Sequence, residues 1–398
     1  MYLSKRLKMS CANTVFILVL VLCCTGVNAD VPPLPGSNSL SLKAQLGQQL
    51  FFDSNLSEPA GQSCASCHDP QAFFVDPDKN VPTSEGVLSE LKGSRNTPTL
   101  TYVALTPDFQ YDRNEGLYKG GFFLDGRAKN LTEQAKGPFL NPIEMANPDL
   151  FAVVNKVRES SYALLFQRVY GAKVFFDSNK AFNKIADALV AFERSAVFTR
   201  FNSKYDYFLA GKVKFTEQEK RGRKLFEDSS KGNCAACHPS RPTKAGAPPL
   251  FTDFTYDNLG VPKNPDNPFY SLTADINPEG WRFVDKGLGK AVGMATDNGK
   301  FKVPSLRNIA KTAPYMHNGY FKTLRGVVAF YSSRDVLPAC KSVFVSDTAA
   351  LKSRCWSIPE VNENVNKAEL GELMLSDAEI DDLVVFLQTL TDGYLLKP

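Results

Sequence analysis

Histidine is scarce in this chain of 398 residues, which has only three, together with two tryptophans and six methionines. This scarcity limits the number of side chains that can act as strong axial or metal ligands. The apolar run at 15–22 is too short to cross a membrane. The formal net charge is +4, and because the chain has no basic patch, a nucleic acid is not expected as a partner. Strand periodicity is lacking beyond short pieces, so we expect a mostly α fold.

Two of the three histidines each end a Cys-x-x-Cys-His run. Cysteines at this spacing can form thioethers to the two vinyl groups of a haem, and the next residue then lies under the iron as its proximal ligand. The alternative is a structural zinc site with four cysteine ligands, which would not require a histidine after each pair. We therefore predict two covalently attached haem c groups, held by Cys64, Cys67 and His68 and by Cys234, Cys237 and His238.

Residues 1–29 have the pattern of a secretory signal peptide. A basic start precedes the apolar run, and Val27-Asn28-Ala29 offers a small-residue cleavage site. Covalent haem attachment in bacteria takes place outside the cytoplasm, so we expect the periplasm or the cell surface. Cys24 leaves a lipid anchor open as the alternative to plain export.

Export also bears on the remaining cysteines. With the haem cysteines and those of the first 29 residues set aside, Cys340 and Cys355 remain. An oxidising compartment favours a disulfide between them over two free thiols.

The same short element precedes both haem motifs. It reads Gly47-Gln48-Gln49-Leu50-Phe51 in the first copy and Gly222-Arg223-Lys224-Leu225-Phe226 in the second. Both copies resemble the end of an amphipathic helix that leads into a haem loop. The internal repeat predicts two cytochrome-c-like haem domains with long connecting loops, at 30–205 and 206–398.

Further helices follow from periodicity and capping signals. Apolar residues recur at helical spacing over 185–192, and we interpret 204–211 as the link between the domains. Capping boxes begin a helix at Thr216, which leads into the second haem motif, and a C-terminal helix at Ser376.

The residue opposite each proximal histidine decides between electron transfer and chemistry, since an iron with an open position can bind peroxide. No histidine or methionine occurs from Asp69 through Gly93, which favours an open first haem. The alternative is that a remote methionine closes it. The candidate sixth ligands in the rest of the chain are His317, Met145, Met294, Met316 and Met374.

Several longer motifs resemble the bacterial di-haem cytochrome c peroxidases and their relative MauG. They follow one another in order over nearly the whole mature chain, and together they are highly specific. The matching segments are Arg95-Asn96-Thr97-Pro98, Asp125-Gly126-Arg127, Glu133 to Pro138, Asn141 to Met145, Phe301 to Asn308 and Thr312 to Gly319.

The resemblance implies that the His68 haem is the peroxide site. Glu144 matches the distal acid-base residue of the family, and Gln134 and Pro138 match its neighbours. A carboxylate over the iron can take a proton from one peroxide oxygen and return it to the other. The alternative for Glu144 is a solvated acid in the first turn of a helix.

The resemblance also implies that the His238 haem transfers electrons. In the peroxidases its distal ligand is a methionine fourteen residues after the histidine that matches His317, whereas MauG has a tyrosine there. The residue at that position is Tyr331. The alternative is Tyr331 as a core aromatic residue, with Met294 as the ligand. By resemblance, His317 has a hydrogen-bonding role near the haems.

A calcium ion is part of the resemblance. Its protein ligands would be the Asn96 side chain and the backbone carbonyls of Thr312 and Pro314, and oxygen donors suit this cation.

Two tryptophans of the family are replaced, by Leu124 before Asp-Gly-Arg and by Gly232 before the second haem motif. The tryptophans present are Trp281 and Trp356, which either relay an electron hole to a partner or pack in the interior. The segment 340–365 resembles an added loop that could shape a docking surface.

Three functions are compatible with these features. A MauG-like enzyme would use hydrogen peroxide to oxidise a side chain, such as tryptophan, of a periplasmic or surface protein. A cytochrome c peroxidase would instead take electrons from a small cytochrome c or copper protein. A pure electron carrier would require both irons to be closed, which the ligand-poor loop and Glu144 argue against.

Overall fold

The chain is mostly helical in a computed structural model that describes residues 40–396. The predicted signal peptide lies outside these residues. Twelve α-helices occur in the described part, and their bounds are α1 Leu42–Phe52, α2 Cys64–Cys67, α3 Leu131–Leu140, α4 Leu150–Glu159, α5 Ala163–Tyr170, α6 Ser178–Glu193, α7 Lys204–Leu209, α8 Glu217–Glu227, α9 Leu288–Val292, α10 Leu324–Ser333, α11 Asp347–Ser353 and α12 Asp377–Gln388. None of the helices within 40–396 is long and apolar enough to cross a membrane.

The strands are short, as the sequence predicted. They form two antiparallel pairs, with Tyr111 opposite Tyr118 in one and Tyr256 opposite Lys302 in the other. Their bounds are β1 Gln110–Asp112, β2 Leu117–Lys119, β3 Tyr256–Asp257 and β4 Phe301–Lys302. Long irregular segments fill most of the space between the helices.

Two clusters of buried apolar side chains form the interior. The first takes its members from Leu40 through Phe198, and the second from Tyr205 through Leu390. The segment 204–211, interpreted as the link between the domains, contains the short helix α7. Its Tyr205 is fully buried in the second cluster, so this segment is part of the packing around that core.

The repeated glycines explain how each haem motif is held. In α1, a Cβ on Gly47 would lie 2.0 Å from the carbonyl oxygen of Ala188 in α6. In α8, a Cβ on Gly222 would lie 2.0 Å from the carbonyl oxygen of Asp382 in α12. Only glycine permits this backbone approach, and it occurs at the same place in both repeats. The helix before each motif therefore packs against a later helix in the same way.

Both predicted capping boxes are present. The Thr216 hydroxyl accepts from the Glu219 amide at 3.2 Å, and the Glu219 carboxylate accepts from the Thr216 amide at 2.6 Å. Ser376 and Glu379 make the same reciprocal pair at the start of α12. The boxes fix where the two packed helices of the second cluster begin.

Cys340 and Cys355 form the expected disulfide, with their Cα atoms 5.0 Å apart. It closes the segment that carries α11. Immediately after it, Trp356 is 2 % exposed, and its indole N–H donates to the Ser333 hydroxyl at 3.0 Å. This hydrogen bond links the end of the disulfide segment to the last residue of α10.

Candidate haem centres and peroxide site

A single cavity of about 920 Å³ is lined by both Cys-x-x-Cys-His motifs. This volume is near the upper end of the usual range for ligand pockets. Every site residue that the sequence predicted lies on its wall: Cys64, Cys67, His68, Asn96, Gln134, Pro138, Glu144, Cys234, Cys237, His238, Thr312, Pro314, His317 and Tyr331. Residues that are far apart in the sequence thus meet around one space.

The two motifs share one backbone hydrogen bond, from the histidine amide to the carbonyl of the first cysteine. In the first, α2 ends at Cys67 and the His68 amide donates to the Cys64 carbonyl at 2.9 Å. In the second, a 3₁₀ turn begins at Cys234 and the His238 amide donates to the Cys234 carbonyl, also at 2.9 Å. None of the four motif cysteines takes part in a disulfide, so both pairs are available to form thioethers.

Both motif histidines are oriented in the way that iron ligands usually are. The Nδ1 atom of His68 donates to the Phe74 carbonyl at 3.0 Å, and that of His238 donates to the Phe251 carbonyl at 2.7 Å. A carbonyl can only accept, so Nδ1 carries the proton and Nε2 keeps its lone pair. Burial lowers the pKa of His68 to about 4 and also lowers the pKa of His238, which keeps both rings neutral. These features fit two haem groups.

The candidate distal acid lies just beyond α3. Its backbone is fixed by turns, since the Glu144 amide donates to the Asn141 carbonyl at 3.0 Å and the Glu144 carbonyl accepts from Val87 at 2.8 Å. Burial raises the pKa of Glu144, while Asn141 and the Arg127 guanidinium lower it to a smaller extent. Glu144 therefore faces the cavity from a turn, and the alternative of a solvated acid in the first turn of a helix does not describe it.

Gln134 and Pro138 lie one turn apart on α3 and face the same cavity. The Met145 amide donates to the Pro138 carbonyl at 3.2 Å, which ties the Glu144 turn back to the helix. A methionine in this pocket, Met145, also lines the cavity and is buried.

Tyr331 lies on α10 and faces the second motif. Burial raises the pKa of its phenol, which lies close to the Cys234 and Cys237 sulfurs. The alternative ligand, Met294, is 48 % exposed and lies outside the cavity wall, where its sulfur accepts from the Tyr118 hydroxyl at 3.9 Å. The position of Tyr331 fits a distal ligand better than that of Met294 does.

His317 stacks on Phe301, with ring centroids 3.7 Å apart and planes 8° from parallel. Its Nε2 atom is 3.7 Å from the Glu360 carboxylate, and both atoms are buried without a hydrogen-bond partner. His317 thus lies on the cavity wall beside an acid that the sequence did not single out.

Two of the three predicted calcium ligands are in contact. The Asn96 side-chain nitrogen donates to the Pro314 carbonyl at 2.6 Å, and Thr312 is two residues before that carbonyl. No group of three or more His, Cys, Asp or Glu residues suited to a metal ion occurs within 40–396. A cation at this place would rely on amide and carbonyl oxygens.

Sequence reasoning missed the charged groups that surround Arg95. Its guanidinium binds Asp285 and also lies 2.8 Å from Asp125, and all three residues line the cavity. It also missed Glu193, the last residue of α6. The Arg-Asn-Thr-Pro motif marked Arg95 as notable, but no local signal identifies a partner 190 residues away.

Comparison with known proteins places these features in one family. A family model described as di-haem cytochrome c peroxidase matches residues 41–214. The MauG methylamine utilization protein of Paracoccus denitrificans is 43 % identical over 357 residues, which cover 88 % of each chain. The chain belongs to the di-haem cytochrome c peroxidase/MauG family. The cytochrome c551 peroxidase of Pseudomonas aeruginosa is 32 % identical over 304 residues, or 75 % of this chain and 74 % of the relative.

Solved structures agree with this assignment. The di-haem peroxidase BthA of Burkholderia thailandensis superposes with a TM-score of 0.73 at 32 % identity, covering 88 % of this chain and 86 % of BthA. A MauG-like protein associated with microbial copper homeostasis gives a TM-score of 0.63 at 28 % identity, covering 92 % and 95 %. The protein is thus a mostly helical, haem-dependent peroxidase with two haem groups, hydrogen peroxide as oxidant and a protein as redox partner.

Proposed function

We propose that this protein is a MauG-like enzyme that uses hydrogen peroxide to oxidise a side chain, such as tryptophan, of a partner protein outside the cytoplasm. The two haem groups, attached through Cys64, Cys67, Cys234 and Cys237, supply the electron-transfer chemistry of the reaction. The side chains of this chain bind those groups, exclude water and move protons.

His68 would hold the first haem iron through Nε2, since its Nδ1 atom is bound to the Phe74 carbonyl, which fixes the ring. Glu144 acts as the distal acid-base group because its carboxyl faces the cavity above that motif. It takes a proton from one oxygen of peroxide and returns it to the other, so that the departing oxygen leaves as water. Gln134 and Pro138 shape this pocket and orient the peroxide.

Tyr331 is the observation that favours the MauG-like function over the peroxidase function. A phenolate ligand on the second haem favours ferric iron, whereas a thioether favours ferrous iron and a half-reduced resting state. The placement of Tyr331 beside Cys234 and Cys237, with Met294 outside the cavity, supports tyrosine ligation. The higher identity to MauG, 43 % against 32 % for the cytochrome c551 peroxidase, points the same way.

Three further assignments belong to this proposal. A calcium ion would be held by the Asn96 side chain with the carbonyls of Thr312 and Pro314. The haem domains would comprise 30–205 and 206–398, after removal of the signal peptide 1–29. The periplasm is supported by the Cys340–Cys355 disulfide, since such bonds persist in oxidising compartments.

The second candidate is a detoxifying cytochrome c peroxidase fed by a small cytochrome c or copper protein. The relatives with that name, at 32 % identity, favour it. It shares the His68 and Glu144 site, so the distinction depends on the second haem.

An electron paramagnetic resonance spectrum of the resting ferric protein, before and after hydrogen peroxide, tests the proposal. We expect one high-spin and one low-spin signal, both lost on peroxide without prior reduction. Tyr331→Met should abolish this reactivity until one electron is added. A wild-type protein that reacts only when half-reduced would support the peroxidase instead.

A further inference from the structure

A series of three packed aromatic rings runs from the interior, next to the cavity residue Glu360, to the surface. Tyr270 packs edge-on against Trp281, with centroids 5.0 Å apart, and Trp281 stacks on Phe344 at 4.7 Å. Phe344 is 65 % exposed, whereas Tyr270 is 8 % exposed. The series therefore begins in the interior and ends in solvent.

The inner end of the series meets a polar group of the cavity. The Tyr270 phenol faces the carboxylate of Glu360, whose negative charge, after burial, raises the pKa of that phenol. Glu360 is itself on the cavity wall, 3.7 Å from the His317 ring nitrogen. Its Oε2 atom is buried and has no hydrogen-bond partner, so it is free to accept a proton.

The second tryptophan offers no comparable path. Trp356 is 2 % exposed and packs edge-on against Phe330 at 5.1 Å, inside the second apolar cluster. Its indole N–H is bound to Ser333. Trp356 is therefore a core residue, in agreement with the interpretation that it packs in the interior. Leu124 and Gly232, at the positions where the resemblance implies tryptophan, have no aromatic ring that could relay an electron.

We propose that Tyr270 and Trp281 form the route by which electrons from the partner protein reach the haem cavity, with Phe344 at its outer end. The proposal rests on the proposed function, because it requires peroxide-driven oxidation. It names the residues through which that oxidation leaves the interior.

The steps balance as follows. Hydrogen peroxide takes two electrons and two protons and becomes two molecules of water. Each electron comes from Tyr270, whose phenolic proton moves to Glu360. Trp281 then gives one electron to Tyr270, which regains its proton, and the partner side chain gives one electron to Trp281. After two such passages both residues are restored, and the partner has lost two electrons and two protons. Those protons enter the solvent and replace the two that peroxide takes up.

Lys263 modulates this route. Its ammonium lies 5.2 Å from the Trp281 ring and 4.9 Å from the Tyr270 ring, so it opposes positive charge on either. The Glu360 carboxylate, 3.8 Å from the same ammonium, offsets part of that charge. The Lys263 ammonium therefore favours brief passage of positive charge through the Tyr270 and Trp281 rings over its accumulation there.

Without a partner protein, peroxide should oxidise a residue of the route itself. Trp281 would then lose both electrons to peroxide and gain one oxygen atom, giving hydroxytryptophan and one molecule of water. Holoprotein treated with hydrogen peroxide is digested and its peptides are analysed by mass spectrometry. We expect oxygen addition at Trp281 and none at Trp356. The exposed Met374 reports direct attack by peroxide, which is independent of the haems.

Two variants sharpen the test. Tyr270→Phe keeps the ring and removes the phenol, and it should lower oxygen addition at Trp281 on the order of tenfold. Tyr207→Phe is the matched control, since Tyr207 lies outside the series, and it should behave as wild type. Trp281→Phe should leave the absorption spectrum of the resting protein unchanged. After peroxide, the rate at which the haem spectrum recovers its resting form should be about tenfold lower than in wild type.

The outcomes separate the two proposals. If peroxide does not change the haem spectrum of wild type, the proposed function fails and this inference fails with it. The route alone is wrong if the haem spectrum changes but Trp281 stays unmodified and the spectrum of Trp281→Phe recovers its resting form at the wild-type rate. Oxygen addition at Trp281 that is lost in Tyr270→Phe supports the route.

Discussion

Arg95 binds Asp285 through two hydrogen bonds, 2.6 Å from Nε to Oδ2 and 2.7 Å from Nη2 to Oδ1. Both side chains are largely buried, and Asp125 lies 2.8 Å from the third guanidinium nitrogen. Burial alone would raise the pKa of Asp285, but the positive charge of Arg95 outweighs it and lowers that pKa to about 2. Arg95 thus neutralises Asp285 and shares Asp125 with Arg127, whose Nη1 atom donates to that carboxylate at 2.9 Å.

Removing that cation should be costly. Arg95→Gln leaves the carboxylate of Asp285 buried beside a neutral amide, while Asp125 keeps its ion pair with Arg127, and we expect a loss of about 3–5 kcal/mol in the free energy of unfolding. Urea titration followed by circular dichroism measures it. Arg325→Gln is the control, because the ion pairs of Arg325 are exposed and should contribute less than about 1 kcal/mol. Equal effects of the two substitutions would contradict this account.

The repeated glycines give a second prediction about stability. Gly222→Ala places a methyl group 2.0 Å from the Asp382 carbonyl oxygen, and Gly47→Ala does the same against Ala188. Each should lower the free energy of unfolding by at least about 1–3 kcal/mol, because α8 must move away from α12, or α1 from α6. Thermal unfolding of the holoprotein measures the loss.

Gly93→Ala serves as the control for both substitutions. The nearest atom to a Cβ at Gly93 is 3.7 Å away, an ordinary contact distance. A melting temperature close to wild type is expected for it. If Gly222→Ala melted like Gly93→Ala, the close helix crossing would not exist in solution.

Local signals predicted the parts of the fold that depend on neighbours in sequence. The capping boxes at Thr216 and Ser376 depend on residues three positions apart, and both are present. The disulfide followed from counting cysteines. The glycine repeat marked two equivalent helices, but it could not identify Ala188 and Asp382 as the surfaces they touch, because tertiary packing decides that.

The candidate site divides in the same way. The Cys-x-x-Cys-His spacing predicts the two motif histidines as ligands. It does not predict that the carbonyls of Phe74 and Phe251 orient them. Glu360 and Asp285 escaped notice because a single acid has no local pattern, and only folding brings it to the cavity. The pattern of 204–211 likewise did not show that Tyr205 is buried in the second cluster, because that burial depends on residues distant in sequence.

Glu193 should make stability depend on pH. Its side chain is 5 % exposed, its Oε2 atom has no hydrogen-bond partner, and burial raises its pKa to about 8. In the unfolded chain a glutamate titrates near ~4.3. Between these values the folded protein keeps a proton that the unfolded chain has lost, so stability falls as the pH rises through this window.

Glu193→Gln removes this dependence. The variant should match wild type at the acid end of the window and exceed it at pH values around ~8 by a few kcal/mol in free energy of unfolding. Urea titrations at both ends of the window measure the difference. Glu159→Gln, at an exposed helix end, should follow wild type throughout. A Glu193→Gln curve parallel to that of wild type would mean that the carboxyl is ionised in the folded protein.

Glu144→Gln tests the distal acid-base role directly. Glutamine keeps the size of the side chain but cannot take up the peroxide proton, so the rate of reaction with hydrogen peroxide should fall by about 10²–10⁴-fold. Stopped-flow absorption of the holoprotein measures that rate, and Glu133→Gln, an exposed acid on α3, should leave it unchanged. Because burial raises the pKa of Glu144, the wild-type rate should rise with pH at a midpoint above that of an exposed glutamate, and this rise should vanish in Glu144→Gln. A Glu144→Gln rate close to wild type would transfer the proton-moving role to another group on the cavity wall.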